Sequence, residues 1–105
     1  MKVEVTHHVD ASDADENGHH DYHYEYDIYR FSNGLDEYVA RSYIDAPQEA
    51  HFLSRVRLSR AILLRPEDLK TALFAAAAAH LRAAGKARLQ WLSEETGGYL
   101  PLDNG

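Results

Sequence analysis

The sequence predicts an α+β domain: an antiparallel sheet of four or five strands with one helix packed on one face, in the order β-β-β-β-α-β. Three observations predict it. Residues 19–31 read HHDYHYEYDIYRF, with Tyr22, Tyr24, Tyr26 and Ile28 at every second place and Asp21, His23, Glu25 and Asp27 between them. Side chains of a strand alternate between faces, so this period of two describes a long strand with an aromatic and a polar face. Further alternating segments flank it, divided by turn residues. One stretch alone, between Pro66 and Gly85, carries an apolar stripe of helical period.

Taken in order, Val3, Val5, His7 and Val9 alternate with polar residues and form a first strand, valines inward. Residues 10–18 turn acidic and small, which is loop chemistry, and Asn17-Gly18 is a turn dipeptide. The aromatic strand follows, then Ser32-Asn33-Gly34. A three-residue loop with Gly34 left-handed pairs Phe31 with Leu35. That register sets Ile28 opposite Tyr38, Tyr26 opposite Ala40 and Tyr24 opposite Ser42, all on the core face, with Glu25 opposite Arg41 on the other.

The third strand runs over about residues 37–44 and is stopped by Pro47, which cannot donate to a ladder. A fourth segment places Ala50, Phe52, Val56 and Leu58 on one side and His51, Leu53, Arg55 and Arg57 on the other. Residues 61–64 form an apolar link. Pro66 is suited to the first helical position, with Glu67 and Asp68 at the positive end of the dipole. The inward stripe is Leu69, Leu73, Ala76, His80 and Ala84, widened by Ala77 and Leu81, and Gly85 stops the helix. Residues 87–92 read as a last strand with Leu89 and Trp91 on one face. Tyr99, Leu100 and Leu102 follow Gly97-Gly98 and pack back on the domain.

At 105 residues this is one domain, residues 1–105. The chain has no cysteine, which excludes disulfides, thiolate metal sites and cysteine nucleophiles. The start is polar and no apolar run spans a bilayer, so the expected setting is cytoplasmic, without membrane partners. A net charge of −6 argues against nucleic acid as a partner. The first 50 residues hold 12 acidic and 3 basic side chains, the remainder 5 acidic and 8 basic, so the halves complement each other.

Four groups carry candidate chemistry. Asp13, Asp15 and Asn17, followed by Gly18, match the first half of a calcium loop, with Asp21 at the ninth position. The twelfth position is Tyr24, where a bidentate glutamate belongs. His19 and His23 stand on one strand stripe, where alternate residues lie about 6.5–7 Å apart. They could share zinc or nickel with His8 as a third ligand. Tyr22, Tyr24, Tyr26 and Tyr38, with His80 from the helix, could line a ligand cleft between helix and sheet, or simply be core. Arg55, Arg57, Arg60 and Arg65 are expected to meet the acidic strand face.

No G-x-S-x-G, phosphate loop, G-x-G-x-x-G or H-E-x-x-H occurs, so the reading leans away from an enzyme. The leading expectation is a small non-catalytic binding domain that self-associates through its sheet as a homodimer. Its contact surface is the face away from the helix, with Tyr29, Val39, Arg41, Tyr43, Leu53 and Arg55. The alternatives are a metal-binding protein, holding calcium at residues 13–18 or zinc or nickel at His19 and His23, and a small-molecule-binding protein or enzyme with a tyrosine-lined cleft.

Overall fold

The computed structural model describes residues 1–11 and 23–102. The class is α+β: among the described residues, a mixed, mostly antiparallel sheet of seven strands and one α-helix. The strands are β1 (Lys2–Ala11), β2 (His23–Ser32), β3 (Asp36–Tyr43), β4 (Glu49–Arg57), β5 (Arg60–Ile62), β6 (Arg88–Leu92) and β7 (Tyr99–Pro101). A 3-10 helix, Pro66–Lys70, precedes α1 (Ala72–Ala83). The sheet runs β1-β2-β3-β4-β6-β7, with β5 beside β4. Four or five strands were expected; the added ones are the short β5 and β7, too brief to show a period.

β4 and β6 are parallel neighbours. Parallel strands need a crossover, and here α1 supplies it, which places the helix over one face of the sheet. At twelve residues α1 is about 18 Å long. The ten-residue strands β1 and β2 reach about 33 Å, so the far part of that hairpin lies beyond the helix.

The β2–β3 register differs from the expected one by three residues, and an odd shift exchanges faces. Phe31 pairs with Tyr38, Tyr29 with Ala40, Ile28 with Arg41 and Tyr26 with Tyr43. The core side of β2 is therefore Tyr29 and Phe31, while Tyr24, Tyr26 and Ile28 lie on the uncovered face. The cause is the turn. Asn33 Oδ1 accepts from the amides of Leu35 at 3.0 Å and Asp36 at 2.8 Å. Asn33 N–H donates to the Asp36 carbonyl at 3.2 Å, and Gly34 has φ +93°. The turn is centred on Gly34-Leu35, with glycine at the first central position, as a tight primed turn requires. Glu25 consequently does not meet Arg41.

β4 carries a second correction. Ala40 faces Phe52 but Val39 faces Ser54, so Leu53 is a bulge with no residue opposite. The bulge reverses the alternation. Ala50 and Phe52 face the helix, and after it so does Arg55, which an unbroken strand would have turned away. β4 also changes its outer neighbour here, from β6 at residues 49–52 to β5 at residues 55–57.

The core lies between α1 and this face: Phe31, Tyr38, Ala40, Phe52, Leu64, Phe74, Ala77, Leu81, Leu89 and Trp91 are all buried. Leu100 and Leu102 pack against it, as does Val3. Val5 and Val9 share that side of β1 yet are 50% and 54% exposed, because the helix does not reach them.

Pro66 opens the 3-10 helix and not α1. Thr71 caps α1 by accepting from Phe74 N–H at 3.2 Å. Moving the start rotates the buried stripe to Leu73, Phe74, Ala77, Ala78 and Leu81, leaving Ala76, His80 and Ala84 exposed. Gly85, at φ +92°, ends the helix, and Lys86 N–H reaches the Leu81 carbonyl at 2.9 Å.

Asp68 fastens the corner to the sheet. It is buried, its carboxylate accepting from Arg55 at 2.8 Å and from Arg65 N–H at 2.9 Å. Its carbonyl accepts from the Tyr38 hydroxyl at 3.2 Å. Breaking a buried pair strands the remaining charge, at a cost of about 3–5 kcal/mol. Asp68→Ala is expected to lose about 3 kcal/mol in urea unfolding, nearer the lower end because Arg55 is partly solvated. Asp68→Asn, which keeps an acceptor for Arg65 N–H, should lose less. Equal losses would show that the Arg65 bond adds nothing.

Candidate interaction surface

With α1 on one side, the other side of the sheet is left uncovered by any described element. The even-numbered residues of β1 and β2 face it, together with Val39, Arg41 and Tyr43 of β3 and His51 of β4. A row of rings crosses it. The His8 and Tyr26 rings stack at 5.4 Å and 14°. Tyr26 meets the edge of Tyr43 at 5.8 Å, and Tyr24 lies 6.0 Å from Tyr43. Tyr43 meets His51 at 6.4 Å, and His51 meets Tyr99 at 5.1 Å. The row thus draws on β1, β2, β3, β4 and β7.

Arg41 is at its middle. Its guanidinium lies 4.8 Å from the Tyr43 ring centre and 5.8 Å from that of Tyr26, and it donates to the Tyr99 hydroxyl at 3.2 Å. A guanidinium over a ring is attracted by the ring's electron-rich face. The Tyr26 hydroxyl donates to Asp10, and this bond, with some burial, raises the phenol above its ordinary value. Burial lowers the His51 imidazole, and the nearby Arg41 charge adds to the effect. His51 is therefore held toward its neutral form.

The far end of the other face holds a separate polar group. His7 bonds Asp27 at 2.7 Å and Glu25 at 2.8 Å through its two ring nitrogens. Both bonds favour the imidazolium, Asp27 more than Glu25, and its pKa rises. A protonated His7 thus sets one positive charge between two carboxylates.

The sequence-derived sites separate in the fold. Asp13, Asp15, Asn17, His19, Asp21 and Tyr22 lie outside the described residues. His23 is on the α1 side of β2 and His8 on the uncovered side, so the strands do not bring those two together. Among the described residues no three histidine, aspartate or glutamate side chains converge as a metal site would need. The cleft residues also part: Tyr38 is buried core, Tyr24 and Tyr26 are on the uncovered face, and His80 is exposed on α1, its ring 5.5 Å from Phe31.

Of the proposed contact residues, Arg41 and Tyr43 are half-buried on the uncovered face, Val39 is on that face but buried at 7% exposure, Leu53 is the bulge, and Tyr29 and Arg55 face α1. Arg55 pairs with Asp68, Arg57 with Asp36 at 3.4 Å and Arg65 with Glu94 at 2.8 Å. His51 and Tyr99 were not foreseen as neighbours, because their meeting depends on the order β4-β6-β7. No helix among the described residues is long and apolar enough to cross a membrane. Comparison with family models, with curated proteins and with solved structures yields no match.

The two histidines give opposite pH dependences. The folded pKa of His7 is raised above 6.5, so the stability it adds is complete below that pH and is lost as pH rises through the folded value. The folded pKa of His51 is lowered, so stability is lost as pH falls below about 6.5. Imidazole NMR titration should place His7 above and His51 below the ordinary value. His7→Gln should remove the loss on the alkaline side only.

Proposed function

We propose that this protein is a small non-catalytic interaction domain that pairs with a second copy through its uncovered sheet face. The observation that carries the reading is the row of rings around Arg41, crossing the face that α1 leaves open. Aromatic residues and arginine are the types enriched where proteins meet, because they bring large contact area together with a polar handle. Six strands spaced about 4.8 Å apart make a face roughly 25–30 Å wide. That is several hundred Å², the order of the ~800 Å² per partner in a standard interface. The face also bears both signs of charge, Lys2, Arg30 and Arg41 with Glu4, Asp10 and Glu37, so a rotated copy can set unlike charges together.

A second reading has one observation in its favour. Beside the row is a shallow pocket of about 210 Å³, lined by His23, Tyr24, Glu25, Tyr43, Ile44 and Asp45. Two tyrosines and two carboxylates suit a small cation. The volume is below the roughly 300–1,000 Å³ of ligand sites, so this reading ranks second.

Light scattering during gel filtration tests the first reading. The wild-type chain is expected to run as a dimer or larger species at tens of micromolar. Arg41→Glu and Tyr43→Ser, half-buried positions outside the core, are expected to shift it toward a smaller species with the fold intact by circular dichroism. A wild-type chain that stays monomeric at high micromolar concentration contradicts the reading.

A further inference from the structure

We infer that β1 is a second contact, pairing edge to edge and antiparallel with β1 of another copy about a two-fold axis at Thr6. This goes beyond the face contact and does not depend on it. β1 is the outermost strand on its side, so the described residues provide no ladder partner for its outer edge. It is ten residues long, and its pairing with β2 is unbroken from Lys2 opposite Ser32 to Ala11 opposite His23. It contains no proline and no bulge, which are common devices that keep an exposed edge from pairing.

What remains to protect this edge is charge, and charge is self-complementary here. A two-fold axis perpendicular to the sheet keeps both copies' α1 sides together, so facing residues must share parity. Centred on Thr6, such pairing sets Lys2 opposite Asp10 of the second copy and Glu4 opposite His8 of the second copy, with Thr6 on Thr6. On the other side Val3 meets Val9 and Val5 meets His7. Exposed Val5 and Val9 thereby gain cross-strand neighbours. Slipping the axis to Val5 puts Lys2 against His8, and slipping it to His7 puts Glu4 against Asp10. Each slip loses the facing of Lys2 and Asp10, the opposite charges that the Thr6 register sets together. Lys2 and Glu4 make no ion pair with the described residues of their own chain and are free to make one across the edge.

Because the chain has no cysteine, single cysteines report this contact directly. Facing residues of an antiparallel pair are about 4.5–5.5 Å apart at Cα, within disulfide reach. Thr6→Cys is expected to form a covalent dimer under mild oxidation at least about tenfold faster than Glu4→Cys, since a standing contact raises local concentration. A mixture of Glu4→Cys and His8→Cys chains should give the heterodimer. Carrying Thr6→Cys in the Arg41→Glu background separates the two contacts: its crosslink should persist there even when the face contact is lost. Equal rates for Thr6→Cys and Glu4→Cys, or no crosslink at Thr6, would overturn the inference while leaving the face contact to its own test.

Discussion

Two backbone amides held by one asparagine side chain decide which rings of this protein are buried. Asn33 Oδ1 takes the amides of Leu35 and Asp36, and the turn that results is centred on Gly34-Leu35. From that centre the β2–β3 ladder follows residue by residue, and with it the face of every side chain on both strands. Tyr29 and Phe31 are sent under α1. Tyr24 and Tyr26 are sent to the side that no described element covers. The candidate surface is thus a consequence of a hairpin turn at the opposite end of the strand.

The other half of the design is the Asp68 corner. An aspartate in a 3-10 helix collects Arg55 from β4, the Arg65 amide and, through its carbonyl, the Tyr38 hydroxyl from β3. The Leu53 bulge makes this meeting feasible, because only a strand that skips one residue turns Arg55 toward the helix. Turn and bulge are both departures from plain alternation, and both act by exchanging faces. What one does for β2 against β3, the other does for the second half of β4.

The class was legible in the sequence because period and punctuation are local. Alternation marked β1 to β4, Gly85 ended the helix, and Leu89 and Trp91 marked β6. Face assignment was not legible, because residues 22–28 and residues 29–31 obey the same period of two and either parity offers aromatic rings. The choice rests on the Asn33 side-chain bonds, a matter of one residue's conformation. Thr71 as a cap was readable in type, yet Pro66 five residues earlier offered the stronger start signal, and the 3-10 helix between them reconciles the two. Of the candidate surface, Arg41 and Tyr43 were found from the mixture of rings and charge on β3. His51 and Tyr99 were not, since their meeting requires strand order, which no local pattern records.

The assignment of faces can be read from one chemical experiment on this cysteine-free chain. With residue 28 opposite residue 41, the double variant Ile28→Cys/Arg41→Cys brings two thiols to facing positions on one side of the sheet, within disulfide reach. Ile28→Cys/Tyr38→Cys puts them on opposite sides, three positions out of step. The account predicts an intramolecular disulfide, seen by mass spectrometry after gentle oxidation, in the first variant and not in the second. A disulfide in the second variant and none in the first would return the tyrosines to the core and contradict the surface described here.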